Sequence, residues 1–255
     1  MLIGMRNAIL ADGAALPYDK RVEYIESTNA AAYFHLFDAL PNISTTPNSY
    51  DSSWEDMWEA VICAPNIGNG DRKLFGMTYT FGMAAYNGKW RPSFLGDWPA
   101  NLNIPIATYN PIMFRGETGK IQVLTSDGKT TIWSKTGTVF VRIPDKTWGL
   151  ARLAVGAMFD NNGVYATVGG TNRIYSFRRV LQNQPEFTLV PCVKDGVAGM
   201  YDEVSGTFCA STSGTPFVAG PDASAANGGG YKRQCVRSSH RRSWRPSARF
   251  CSPSA

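Results

Sequence analysis

The chain has 255 residues, 44% hydrophobic and 12% aromatic, enough for a sizeable core, and all-β sandwiches of about 200–250 residues are routinely one domain. Seven of the 25 Lys/Arg lie after Gly230 with no acidic residue among them, leaving 18 basic against 20 acidic residues in the body; the net charge of +5 therefore does not mark the folded part as a nucleic-acid binder. No run of 18 apolar residues occurs, so no transmembrane helix is expected, and five cysteines without CxxC spacing exclude a zinc ribbon and a dense disulfide framework.

Residues 1–17 read as a lead segment. Arg6 and Asp12 interrupt their apolar runs, so they do not make a signal peptide. From Arg21 onward the text is short β-type runs separated by turns: VEYIEST (22–28), MWEAVIC (57–63), KLFGMTY (73–79), KIQVLT (120–125), TTIWS (130–134), RLAVGAMF (152–159), NRIYSF (172–177) and EFTLVPC (186–192). Asn87-Gly88, Asp127-Gly128, Asn162-Gly163 and Asp195-Gly196 lie between them, and such pairs tolerate the positive φ that two-residue hairpins require. SWEDMWEAVI (53–62) fits helical spacing, but its Val, Ile and Trp favour a pleated surface, and it reads as a strand with Met57, Glu59 and Val61 on one face. Many short strands and no amphipathic helix imply a two-sheet antiparallel β-sandwich over residues 18–221. Cys192 and Cys209 flank a predicted hairpin and could pair; buried free thiols are the favoured reading.

The opening YDKRVEYIEST (18–28), together with NRIYSF, LVPC (189–192), GVAGMYDEVSGTF (196–208) and FVAGP (217–221), resembles in order and spacing the concanavalin A-like (laminin-G-like) jelly-roll modules of prophage and surface proteins of gut bacteria. After Thr28 the chain continues NAAAYFHLF, a departure from that pattern. The resemblance implies an all-β jelly roll whose first and last strands are adjacent. It also implies a non-catalytic module for carbohydrate binding or adhesion, virion-associated or on a cell surface. A glycan or surface polysaccharide is then the expected partner, and an oligomer stays open.

Two other readings stand beside this one. Laminarinase-type glycoside hydrolases share the fold, with carboxylates at alternate positions of one strand. Neither Glu55-Asp56-Met57-Trp58-Glu59 nor Glu23 with Glu26 has that spacing, since Glu55 and Asp56 face opposite sides of a strand, as do Glu23 and Glu26. A purely structural virion or surface-array component is the third reading. No catalytic residue is assigned: His35 has no Cys or second His near it, and no G-x-S-x-G, Walker A or G-x-G-x-x-G occurs.

For a ligand, Trp90 and Trp98 with Asp97, Asn101 and Asn103 combine flat apolar faces with hydroxyl-binding groups, as a sugar platform needs; core packing is the competing account of both indoles. No cofactor is expected. Calcium stays open at Asp160 and Asn162, where an Asx turn explains the same residues. Residues 222–255 read as a disordered basic tail: ASAANGGG is linker text, and the Ser- and Arg-rich remainder has too few aliphatics to offset its ordering entropy. Deleting residues 223–255 should leave the melting temperature nearly unchanged in calorimetry; a loss of several degrees would show that Trp244 or Phe250 packs on the body.

Overall fold

The computed structural model describes residues 16–28, 31–43, 56–66, 72–77, 81–86, 88–94, 111–117, 119–136, 153–160, 163–165 and 171–223. In chain order these form β1 (Lys20–Arg21), β2 (Ile25–Ser27), β3 (Phe34–His35) and a one-turn helix α1 (Leu36–Ala39). Then come β4 (Asp56–Asn66), β5 (Arg72–Met77), β6 (Phe81–Tyr86), β7 (Lys89–Phe94), β8 (Ile112–Glu117), β9 (Lys120–Thr125) and β10 (Thr131–Thr136). The last part holds β11 (Ala154–Val155), β12 (Met158–Asp160), β13 (Gly163–Tyr165), β14 (Thr171–Leu181), β15 (Gln184–Lys194), β16 (Val197–Asp202), β17 (Phe208–Ala210) and β18 (Val218–Ala219).

The strands make two sheets. The larger runs β10-β9-β8-β4-β14-β15-β16-β17, with β1 beside β15 and β2 between β14 and β18. The smaller runs β13-β12-β5-β11-β3, with β6 and β7 extending from β5. Pairing is antiparallel apart from a parallel bridge between Phe159 and Met77. This is the expected two-sheet antiparallel sandwich. Its opening and closing segments are adjacent, as expected: Ile25 and Glu26 of β2 lie opposite Ile174 and Arg173 of β14 on one side and Ala219 and Val218 of β18 on the other.

Period-2 alternation explains the layering. In β4, Trp58, Ala60, Ile62 and Ala64 join the core between the sheets, while Val61 and Cys63 belong to a smaller cluster with Tyr175. Phe75 of the small sheet meets Phe114 and Phe177 of the large one at ring-centroid distances of 5.5 and 5.3 Å. Trp58 packs on Phe177 and Phe187 at 5.8 and 5.5 Å. Such tilted and edge-on pairs add about 0.5–1.5 kcal/mol each beyond area burial.

Local chemistry sets the turns. Asp195 and Gly196 adopt φ of +52° and +75° between Lys194 and Val197, the two-residue hairpin foreseen from the Asp-Gly pair. Gln182-Asn183 forms an equivalent turn without glycine, with φ of +49° and +62°. The β9–β10 hairpin forms, but with a four-residue loop: Thr125 accepts from Gly128 and donates to Thr130, and Asp127 accepts from the Thr125 hydroxyl and the Lys129 N–H. These bonds hold the Asp127 carboxyl below its ordinary pKa, the Thr125 bond first. At the third pair, Asp160 lies opposite Gly163, so Gly163 opens β13 rather than sitting in the turn. VEYIEST and RLAVGAMF are each broken; in the second, Gly156 takes φ of +94° with the Ala32 carbonyl 2.5 Å from where a Cβ would stand.

The turn after β16 is pinned by Asp202, only 1% exposed. Its carboxylate accepts from the backbone N–H groups of Thr188, Val204 and Ser205 and from the Ser205 hydroxyl. Hydrogen bonding at the chain's exit runs on to Ala223, whose N–H donates to the Arg21 carbonyl, while Val22 bridges Asp222 and Lys20 reaches the Asp222 carboxylate at 2.6 Å. The rest of the basic tail and residues 1–15 lie outside the described residues.

A cation is buried in the sandwich beside Trp58. Arg179, 0% exposed, lies with its guanidinium 4.8 Å from the Trp58 ring and bonds Glu186 at 2.6 Å. Removing one partner of a buried pair costs about 3–5 kcal/mol, whereas replacing both partners by apolar residues of similar volume is often neutral. Glu186→Ala should therefore lower unfolding free energy by about that amount in urea titrations, and the double variant Arg179→Met with Glu186→Leu should cost less. Equal losses in both variants would contradict this.

Candidate functional site

The outer face of the large sheet, away from the small sheet, carries the clearest constellation of polar side chains among the described residues. Register creates it. Glu59 of β4 lies opposite Arg178 of β14 on one side and Arg115 of β8 on the other, and Arg115 lies opposite Gln122 of β9. Four sequence-distant residues thus form one row across adjacent strands about 4.7–4.9 Å apart. The Glu59 side chain is 3% exposed and those of Arg115 and Arg178 are 24% and 29% exposed. Arg115 Nε and Nη2 each approach Glu59 Oε1 at 2.6 Å, and Arg178 Nε donates to Glu59 Oε2. Gln122 continues the row by donating to the Thr131 hydroxyl at 3.2 Å.

A second group lies farther along the same face. Arg173 Nε donates to Glu26 Oε2 at 2.8 Å, and its guanidinium stands 4.5 Å from the centroid of the Tyr24 ring, which packs on Tyr175 at 5.3 Å. Burial works against the Arg173 charge, but the Glu26 bond and the neighbouring phenols Tyr24 and Tyr175 more than offset it, so its pKa lies above the ordinary value. Gly220 is required beneath this group: a Cβ there would sit 2.9 Å from the Tyr24 ring, while its N–H donates to the Tyr24 carbonyl.

The loop foreseen as a sugar platform fares differently. Trp90 is 1% exposed and belongs to the core. It is a strand residue of β7 opposite Ala85, whose small side chain leaves room for the indole to pack inward, so Trp90 presents no face to a ligand. Asp97, Trp98, Asn101 and Asn103 lie outside the described residues, as does Asn162. Asp160 is the last residue of β12, and among the described residues no three His, Cys, Asp or Glu side chains gather as a metal site would require. His35 pairs through β3 with Ala154 and packs edge-on against Tyr33 at 5.5 Å. Of the carboxylates weighed for hydrolysis, Glu26 and Glu59 face arginines.

The signal that would have found the outer row is a lone charge inside an otherwise apolar run: Glu in MWEAVI, Arg in IMFRG, the first Arg in YSFRRV. A charge at such a position cannot face the core unpaired, so it must meet a partner on a neighbouring strand.

The described cysteines offer no exposed thiol. Cys63, Cys192 and Cys209 are buried free thiols. Cys192 lies opposite Gly199 and Cys209 opposite Met200, so the two cysteines stand two strands apart and cannot bridge. Gly199 itself is capped: a Cβ there would meet the Phe208 ring at 2.7 Å. Burial pushes both thiols up to about 12. The thiolate is the reactive form, so peptide-resolved iodoacetamide labelling of native protein at pH 8 should leave Cys192 and Cys209 unmodified and label them once urea is added. Rapid native labelling of either would contradict this burial.

No family model matches the chain, and no curated protein matches it. Among solved structures, a "putative carbohydrate binding protein" from Bacteroides ovatus is similar at a TM-score of 0.50 with 11% identity, over 79% of this chain and 60% of that one. This chain therefore spans less than two thirds of that protein, and at this identity the likeness is one of fold. A sialidase from Trypanosoma rangeli, solved with the inhibitor DANA, aligns at a TM-score of 0.28 with 14% identity over 53% of this chain and 21% of its own, too low to bear on the argument. What the Bacteroides structure shares with this chain is the β-sandwich.

Proposed function

We propose that this protein is a non-catalytic glycan-binding module of the concanavalin A-like, laminin-G-like kind, serving adhesion in a phage or cell-surface protein, and that the outer face of the large sheet is its binding surface. The observation that carries this reading is the polar row Arg178–Glu59–Arg115–Gln122, continued on the same face by Arg173, Glu26 and the Tyr24 ring. A sugar needs planar hydrogen-bonding groups for its hydroxyls and an aromatic or guanidinium surface for its ring. Guanidinium, amide and phenol groups held by strand register supply both with little entropy left to lose on binding. The sandwich fold, shared with the Bacteroides protein, is compatible with this role and does not by itself assign it. Support for a non-catalytic role comes from the carboxylates of the face. Glu59 is enclosed by two guanidiniums, Glu26 bonds a third, and Glu117 lies 3.9 Å from Arg115 Nε. Hydrolysis would need a carboxyl pair free to exchange protons.

The test is a glycan array carrying neutral and acidic sugars, probed with the full chain and with Ser176→Trp. Ser176 lies opposite Val61 at the centre of this face and is partly exposed, so an indole there obstructs the surface without entering the core. Wild type should bind at least one glycan class, and Ser176→Trp should weaken that binding about tenfold or more with an unchanged melting temperature. Absence of binding to any glycan, or full binding by the folded variant, would overturn the reading.

A further inference from the structure

We infer that the Arg115–Glu59–Arg178 row is an anion-binding subsite and that the glycan bears a carboxylate, as in a uronic or sialic acid; this rests on the glycan-binding reading above. One arginine would suffice to neutralise a buried carboxylate. Here strand register brings two to the same one, from β8 and β14. The side chains of the row carry two positive charges against one negative. Glu117, 36% exposed, also lies 3.9 Å from Arg115 Nε, and Lys120 stands opposite it in register, so with these two counted the patch still carries three positive charges against two negative.

The excess charge has a direction. Glu59 is almost fully covered, whereas about a quarter of each arginine side chain meets solvent. Arg178 uses its Nε on Glu59 Oε2, which leaves its terminal amino groups for a ligand. Arg115 turns Nε and Nη2 to Glu59 Oε1, with Nη2 also 3.8 Å from the Met113 sulfur, and keeps Nη1. Two guanidiniums separated by the width of a carboxylate repel each other, and an anion resting on both from the solvent side relieves that repulsion. Guanidinium groups match planar carboxylates by paired hydrogen bonds, which a neutral hydroxyl cannot equal.

Glu59 is a positioning residue in this account. It fixes both arginines and touches no ligand. The probes are polygalacturonate, its fully methyl-esterified form, dextran sulfate and dextran, together with the glycans that the array identifies. The proteins are the full chain, Arg178→Gln, Glu59→Gln, and a control with Arg241, Arg242 and Arg245 changed to Gln so that the basic tail is not mistaken for the site. Binding should be strongest to carboxylate-bearing glycans and fall at least tenfold on methyl esterification. It should fall at least tenfold in Arg178→Gln and persist in the tail variant. Glu59→Gln, which keeps a planar end group but replaces one acceptor oxygen by an NH2 donor, should release one of the two arginines and weaken carboxylate binding if it folds; the Arg178→Gln result decides the matter if it does not. Four outcomes would overturn the subsite while leaving a glycan-binding module standing: binding confined to neutral glycans, equal binding of the methyl ester, preference for sulfate over carboxylate, or an unchanged affinity in folded Arg178→Gln. Failure to bind any glycan would instead overturn the reading on which it rests.

Discussion

The ladder between β4 and β14 is the constraint on which the molecule depends. Nine residue pairs, from Thr171 with Asn66 to Leu181 with Asp56, join the first third of the sequence to its closing half, across two register shifts that let the long strands bend. Everything else in the large sheet attaches to one side or the other of this pair. β8, β9 and β10 continue from β4, while β2 and β15 share the far edge of β14. Because side chains alternate, the ladder also makes both faces at once: Trp58 and Phe177 point into the sandwich, and Glu59 and Arg178 point out of it. A one-residue slip would exchange these sets and place charges in the core.

The two charged groups that flank this ladder illustrate different physical regimes. Arg179 lies inside, against Trp58 and Glu186, where desolvation is costly and the pair must be kept whole. Arg178, its neighbour in sequence, lies outside, where solvent screens it and its hydrogen-bonding capacity stays accessible. The dipeptide therefore contributes one residue to the interior and one to the outer face of the large sheet.

Much of the architecture was legible in the sequence because it rests on local rules. Asp195-Gly196 announces its hairpin by tolerance of positive φ, and the alternation in NRIYSF and EFTLVPC marks strands whose inward residues are indeed core. Gln182-Asn183 makes the same kind of turn yet gave no signal, because neither residue is glycine and the conformation is imposed by the strands on each side. The Asp127-Gly128 loop was misjudged in length because the Asp127 side chain organises a wider turn than the dipeptide alone specifies. The candidate site was hardly legible. Its residues come from three distant segments, at 59, 115 and 178, and only pairing brings them together. Trp90 attracted notice by composition, but composition does not reveal that Ala85 leaves space for it in the interior.

The bridge between Val22 and Asp222, with Ala223 held to Arg21, has a mechanical meaning. The two ends of the sandwich leave it side by side, so a tensile load transmitted along a host chain would not stretch the module from pole to pole. It would fall first on these few hydrogen bonds, opened one after another like a zipper, rather than on many bonds sheared together. A module tethered through that seam would act as a short extensible link, giving slack before the β4–β14 ladder bears load.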